Sequence, residues 1–261
     1  MVTGATSYLP LNLAGLRVAI TGAAGGIGLA MADGFAACGA AVFVSDVDAP
    51  AVAGCAHKAM VADAGDAAAM EGFIDRAVTE LGGLDVLINN AGIAGPTKRV
   101  EDIEPGELDR VLQIDLSAMF HTCRRAIPAL KAAGGGAIVN MSSSAGRFGF
   151  PMGAPYAAAK WGVVGLTKSL AMELGPFGIR VNALQPGAVD GPRIRGLIRA
   201  KAEAAGISED EQTAKLTATT SLRCLVSQYD IANMALYLAS PFGATISGQT
   251  IAIDGDKQYL V

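Results

Sequence analysis

The stretch Arg17-Val18-Ala19-Ile20-Thr21-Gly22-Ala23-Ala24-Gly25-Gly26-Ile27-Gly28 decides the fold of this chain. Its first five residues form a short apolar run of the kind a sheet buries on both faces. The run passes through a glycine-rich turn into a helix-compatible segment, Ile27 to Cys38. Glycines at such a junction permit a tight turn, let backbone approach a pyrophosphate, and let strand and helix pack closely. The helix start then offers free N–H groups and a positive dipole end to phosphate. Loops also collect glycine for conformational reasons alone. The position between an opening strand and an opening helix is what favours nucleotide binding.

The same alternation runs outward from this stretch. Ala41 to Asp46, Lys58 to Ala62, Asp85 to Asn89, Ala137 to Met141, Arg180 to Leu184 and Thr250 to Ile253 are further short apolar runs, giving seven expected strands. Between them, Ala67 to Leu81, Glu107 to Ala133, Tyr156 to Leu174 and Asp230 to Ala239 read as helices. Repeated strand-helix units imply right-handed crossovers and a doubly wound α/β Rossmann fold, its seven-stranded parallel sheet flanked by helices on both faces. No linker, repeat or low-complexity tract divides residues 1–261, so one domain is expected. Residues 190–221 break the alternation; they are polar, helix-compatible and long enough to form a flap over a site.

Composition narrows the class. Half of the 261 residues are apolar, 33 are glycine, and the net charge is −4, which argues against nucleic acid or an anionic membrane as the main partner. The four cysteines, Cys38, Cys55, Cys123 and Cys224, are scattered, and only His57 and His121 could join them, so no metal site is expected. Free thiols fit a reducing cytoplasm. Residues 1–16 lack the pattern of a signal peptide and no apolar run reaches membrane-spanning length, so a cytoplasmic protein is expected.

Asp46 ends the second run, 18 residues past Gly28. A carboxylate there suits the adenosine ribose hydroxyls and repels a 2′-phosphate. Ala23, Ala24 and Ser45 supply no cation to reverse that preference, so NAD is the expected cofactor. The plainer alternative is a surface aspartate capping a turn.

A third feature suggests chemistry. Ser143 closes the fifth strand-like run, and Tyr156 and Lys160 stand four apart at the start of a helix, on one face. A phenol ordinarily titrates near pH 10, so using one as a base near neutrality asks for about 4 kcal/mol of phenolate stabilisation. An ammonium about 4 Å away, at an effective dielectric of ~20, is worth a similar amount. Tyr-x-x-x-Lys on its own is common on amphipathic helices; its company makes it a proton-transfer device.

Together these residues resemble the short-chain dehydrogenase/reductase family, in its single-domain, NAD-dependent subgroup, from about Leu13 to Asp256. The motifs occur in the family's order: the glycine turn (Thr21, Gly22, Gly26, Ile27, Gly28), Asp63, Asn89-Asn90-Ala91-Gly92, the trio Ser143, Tyr156 and Lys160, and Pro186-Gly187. The resemblance implies hydride transfer between a nicotinamide and a secondary alcohol or ketone. Tyr156 would be the general base or acid, Ser143 would hold the substrate oxygen, and Lys160 would favour phenolate and grip the nicotinamide ribose. Asp63 would contact adenine, and Asn90, Ala91, Gly92, Pro186, Gly187 and Val189 would line the cofactor pocket.

Two departures stand out. Asp115, in Ile114-Asp115-Leu116-Ser117, occupies the place of the family's asparagine, which supports a water relay to the lysine. Val189-Asp190-Gly191 lacks the threonine hydroxyl usual there. For the substrate, Arg147 and the flap cations Arg193, Arg195, Arg199 and Lys201 suggest an anionic or polyhydroxylated molecule, with Phe148, Phe150 and Trp161 as apolar walls; a solvated basic helix face is the competing reading. The resemblance further implies a homotetramer or homodimer. Alternatives are a catalytically silent NAD-binding sensor or an NADPH-dependent 3-oxoacyl reductase, the second disfavoured by Asp46.

Overall fold

The computed structural model describes residues 3–260. Seven strands, β1 (Arg17–Thr21), β2 (Ala41–Asp46), β3 (Lys58–Val61), β4 (Val86–Asn89), β5 (Gly136–Met141), β6 (Ile179–Pro186) and β7 (Thr250–Ile253), form one sheet. Its order is β3-β2-β1-β4-β5-β6-β7, and every pairing is parallel. The order reverses between β1 and β4, the point where a doubly wound sheet opens a crevice at its carboxyl edge.

The helices are α1 (Gly26–Ala37), α2 (Ala49–Ala53), α3 (Ala67–Leu81), α4 (Pro105–Leu112), α5 (Ala118–Ala132), α6 (Ala154–Leu174), α7 (Pro192–Ala205), α8 (Glu209–Thr217) and α9 (Gln228–Ala239). Strand alternation divides the core. Val18, Ile20, Val86, Ile88 and Val139 face Met31 and Phe35 of α1 and Ile231 and Leu236 of α9. Ala19, Leu87 and Ile138 face Phe73 and Ile74 of α3 and Leu130 of α5. With both faces covered, the central strands need no polar side, which is why they read as unbroken apolar runs.

At the opposite edge of the sheet Arg17 fixes the starts of β1 and β4. Its Nε and Nη2 donate to Asp85 at 2.7 and 2.8 Å, and its Nη1 to the Gly82 carbonyl at 2.7 Å. Burial pushes the Asp85 carboxyl up, but the Arg17 hydrogen bonds outweigh it and hold the group below the usual carboxylate range.

One expectation needs correcting, and two features refine the reading. The run Glu107 to Ala133 is not one helix: α4 and α5 are joined by a π-helical turn, Gln113–Ser117, whose extra residue brings Ile114 and Asp115 into the interior. Residues 190–221, expected to be helix-compatible, hold two helices, α7 and α8. The short α2, capped by Asp48 and opened by Pro50, carries too little apolar periodicity to have been foreseen.

Candidate active site

The glycine turn leaves β1 with Gly22 at φ +62° and enters α1 at Gly26, φ +57°. Gly28 has no room for a side chain: a Cβ would lie 2.3 Å from the Gly22 carbonyl oxygen and 2.7 Å from the Ala23 Cα. Gly25 and Gly26 are the reverse case, with open space where a Cβ would stand. Gly25 is also the N-cap of α1 and has no side chain to satisfy its first N–H groups. Closed beneath and open above, the turn fits an anionic pyrophosphate.

Thr21 pins the turn to the next strand end. Its buried hydroxyl oxygen accepts from the Asn90 and Ala91 amides at 3.0 and 3.1 Å, while Asn90 Nδ2 donates to the Thr21 and Gly22 carbonyls at 3.1 and 2.7 Å. Beside this lies a cavity of about 240 Å³ lined by Gly22, Asp46, Asp63, Asn90, Gly92 and Arg110, among others. Asp46 closes one side, its Oδ2 accepting from the Ala24 amide at 3.0 Å and its Oδ1 from the Asp48 amide at 3.2 Å. Two carboxylate oxygens have about four acceptor positions, so lone pairs remain for ribose hydroxyls. Asp63 closes the other. It accepts from the Gly65 amide at 2.7 Å and pairs with Arg110 at 3.1 Å. The Gly65 hydrogen bond first, and Arg110 with it, hold its carboxyl below the usual range against the opposing effect of burial. Arg110 was not foreseen, because its partner lies 47 residues away and no local spacing signals the contact.

Ser143, Lys160 and Tyr156 lie about the carboxyl end of β5. Ser143 caps a single 3₁₀ turn, Ser144–Gly146, its Oγ accepting from the Ala145 amide at 3.1 Å. Ser142 donates from its Oγ to the Lys160 carbonyl at 2.9 Å, clamping the first turns of α6 to the strand end. Lys160 Nζ donates to the Met141 carbonyl at 3.1 Å and stands 5.4 Å from the Tyr156 ring centre. Lys160 is buried and Tyr156 half-buried, with the Phe150 ring edge-on to the phenol at 6.2 Å. Asp115 reaches the same point from the π turn, its Oδ2 lying 3.2 Å from Lys160 Nζ. All four residues singled out for chemistry thus converge on one strand end.

Further along the crevice, Pro186 ends β6, and its carbonyl accepts from Ser144 Oγ at 3.1 Å. The Gly187 amide donates to the Ile253 carbonyl at 3.0 Å, which holds β7 beside it. Val189 pairs with Val226 in an isolated parallel bridge, so the backbone leading into α7 is held from below.

Three of the cations proposed for substrate, Arg147, Arg195 and Arg199, pair with carboxylates. Arg147 Nη2 donates to Asp254 Oδ2 at 2.8 Å and to the Lys257 carbonyl at 3.0 Å. Arg195 pairs with Asp190 at 2.6 Å and Arg199 with Glu209 at 3.1 Å. The side chain of Arg193 lies outside the described residues. Trp161, the expected wall, is 51% exposed. Unforeseen in the sequence is the buried group that anchors the C-terminal segment, where Lys257 donates from Nζ to Thr219 and Asp254 faces Arg147. Burial pulls the Lys257 ammonium below its ordinary range, with Asp254 opposing.

A dinucleotide cradle at the switch point of a parallel sheet, next to a phenol, a buried ammonium and a hydroxyl, defines a nicotinamide-dependent oxidoreductase. The comparisons agree. A family model described as enoyl-(acyl carrier protein) reductase matches residues 22–255. The chain is 42% identical over 184 residues to the trans-4-hydroxycyclohexanecarboxylate dehydrogenase of Sinomonas cyclohexanicum, a match covering 70% of this chain and 64% of that protein. It is 33% identical over 248 residues to the D-beta-hydroxybutyrate dehydrogenase of Rhizobium meliloti (strain 1021), covering 90% of this chain and 96% of that one. The crystal structure of NAD+-bound xylitol dehydrogenase superimposes with a TM-score of 0.85 at 27% identity, covering 93% of this chain and 98% of that chain. The chain belongs to the short-chain dehydrogenase/reductase family.

Proposed function

We propose that this protein is an NAD-dependent dehydrogenase or carbonyl reductase acting on a secondary alcohol or ketone. The observation that carries the reading is the meeting of Tyr156 with the buried Lys160, 5.4 Å from ring centre to Nζ, at the strand end next to the glycine turn. The turn and the N-terminus of α1 would hold the pyrophosphate, Asp46 the adenosine ribose, and Asp63 and Arg110 the mouth of the adenine pocket. Gly92, Pro186, Gly187 and Val189 would border the nicotinamide end. Bound nicotinamide would supply the hydride acceptor or donor at the carbinol carbon.

The chain's own groups handle the proton. In oxidation Tyr156 Oη, as phenolate, takes the alcohol proton, and in reduction it returns one to the carbonyl oxygen. Ser143 Oγ donates a hydrogen bond to the substrate oxygen and orients it toward Tyr156. Lys160 keeps a positive charge beside the phenol, where loss of water strengthens the interaction. NAD over NADP rests on Asp46, whose charge faces the place a 2′-phosphate would take; the NAD+-bound xylitol dehydrogenase neighbour supports the choice.

The substrate belongs to the neutral side of the range. With Arg147, Arg195 and Arg199 each paired to a carboxylate, a hydroxylated or ketonic substrate suits the crevice better than one read through its anion. One domain spans the chain, and two or four copies assemble in the cytoplasm through the outer faces of α5 and α6, where Phe120, Trp161 and Met172 are exposed by 54, 51 and 82%. A panel of secondary alcohols with NAD and NADP, followed by absorbance of reduced nicotinamide beside the Tyr156→Phe variant, tests the reading. Turnover with NAD that vanishes in the variant is expected. Heat protection by NAD with no turnover on the panel would replace it with a silent sensor, and a sedimentation mass of one chain would remove the oligomer.

A further inference from the structure

Lys160 is not an isolated ammonium. Its Nζ spends one N–H on the Met141 carbonyl at 3.1 Å, and Asp115 Oδ2 stands 3.2 Å away with its residue fully buried. The other Asp115 oxygen accepts from the Ile93 amide at 2.7 Å. Gly92 covers the pair: a Cβ there would lie 3.3 Å from both Lys160 Nζ and Asp115 Oδ1. The π turn delivers the carboxylate, since without its extra residue the buried face of α4 and α5 would run out of register at this point. The arrangement is a dry ion pair, fixed on both sides and adjacent to the reacting phenol.

We infer that Asp115 is a positioning residue which partly cancels the charge of Lys160 toward Tyr156 and so sets the phenol to ionise at a higher pH than a lone lysine would allow. A buried ammonium with a carboxylate at contact distance presents a dipole rather than a full charge, and a dipole's potential falls off faster with distance. The inference rests on the function proposed above.

Few other titratable groups are carried by the elements packed around the pair. α6 contributes Tyr156 and Lys160 themselves. α4 contributes Arg110, already engaged by Asp63. β5 and its loop contribute the hydroxyls of Ser142 and Ser143, and the loop after β4 carries no titratable side chain from Asn89 to Pro96. From α5, the buried Cys123 contributes nothing ionic, because burial pushes its thiol up to about 12, while Arg124 and Arg125 pair with Glu71 and Asp75 on α3.

The test reads the phenol directly, with neither cofactor nor substrate present. The ultraviolet phenolate titration of the protein, minus that of its Tyr156→Phe form, isolates Tyr156 among the five tyrosines. In Asp115→Asn, and in Asp115→Ser should the amide disturb folding, the Tyr156 midpoint is expected to move down by about one pH unit. The acid limb of kcat/KM for alcohol oxidation should move by the same amount. A midpoint that stays in place or rises in the folded variants overturns the inference, whatever the activity. Absence of turnover in the unaltered protein, with the midpoint still moving, would instead remove the hydride-transfer reading and leave the ion pair's effect standing.

Discussion

The two ends of the crevice are built from different materials. At the β1 end, the cradle is made of backbone: Gly22 and Gly28 without space for side chains, amides satisfied by Thr21, and carbonyls satisfied by Asn90. At the β6 end, α7 and α8 carry exposed ion pairs, Arg195 to Asp190 and Arg199 to Glu209, beside a few buried contacts such as Ile198 and Ala202. Backbone geometry tolerates almost no change, whereas exposed ion pairs contribute little and exchange freely. Relatives named for a hydroxycyclohexanecarboxylate, a beta-hydroxybutyrate and xylitol share this family. The contrast teaches where substrate choice can vary without loss of the cofactor site.

A pair of glycine substitutions breaks the comparison most sharply. Gly28→Ala places a Cβ 2.3 Å from the Gly22 carbonyl, and because the obstacle is backbone the turn itself must shift. NADH affinity, read by fluorescence titration, should fall by about 100-fold or more, since the turn's amides would no longer converge on phosphate. Gly196→Ala, inside α7 with open space around it, should leave affinity unchanged and stabilise the helix by roughly 0.5–1 kcal/mol. Equal losses at both positions would end the distinction.

Within the reactive end, Tyr156→Phe should lower kcat by about 10²–10⁴-fold while the NADH dissociation constant stays within a few-fold, because the phenol moves a proton and the dinucleotide rests on other groups. Asp46→Ala is the milder and opposite case. It removes acceptors for the ribose and a charge that repels a 2′-phosphate, so KM for NAD should rise about tenfold and the preference over NADP should shrink, with kcat nearly kept. An Asp46→Ala protein that retained full NAD discrimination would show that the carboxylate serves only the Ala24 amide.

How much of this was legible beforehand follows the same line. The parallel sheet and the glycine turn were readable because both are dictated by local period and local backbone demand. Tyr156, Lys160 and Ser143 were readable because a helix and a strand end fix their relative positions. Asp115 was visible as an odd residue at a place the resemblance ties to Lys160, but its direct contact at 3.2 Å was not, because five residues of a π turn leave no pattern in an otherwise helical run. Arg147 shows the complementary limit: its charge is evident in sequence, while its pairing with Asp254, 107 residues away, is not.

A smaller effect concerns pH and the far edge of the sheet. Because Asp85 is held below the usual carboxylate range in the folded chain, the Arg17 contact stabilises the protein fully above the unfolded carboxyl's pKa of about 3.9 and is lost as pH falls through the lower folded value. The melting temperature should therefore decline as pH drops below about 4, and Asp85→Asn should be less stable near neutrality with a flatter decline. A parallel decline in both proteins would assign the acid sensitivity to other carboxylates.

The smallest effect belongs to the flap. Both members of the Arg195–Asp190 pair reach solvent, with side chains 66 and 37% exposed, and although Asp190 raises the guanidinium's pKa the group is charged with or without it. Arg195→Ala should leave the melting temperature unchanged within error and the cofactor KM within about twofold. Substrate KM is the informative reading. If it rises for acidic substrates alone, Arg195 leaves Asp190 to meet an anion when the flap is engaged, and the backbone-built and ion-pair-built ends would differ in mobility as well as in material; an unchanged KM across acidic and neutral substrates confines the pair to holding α7 in place.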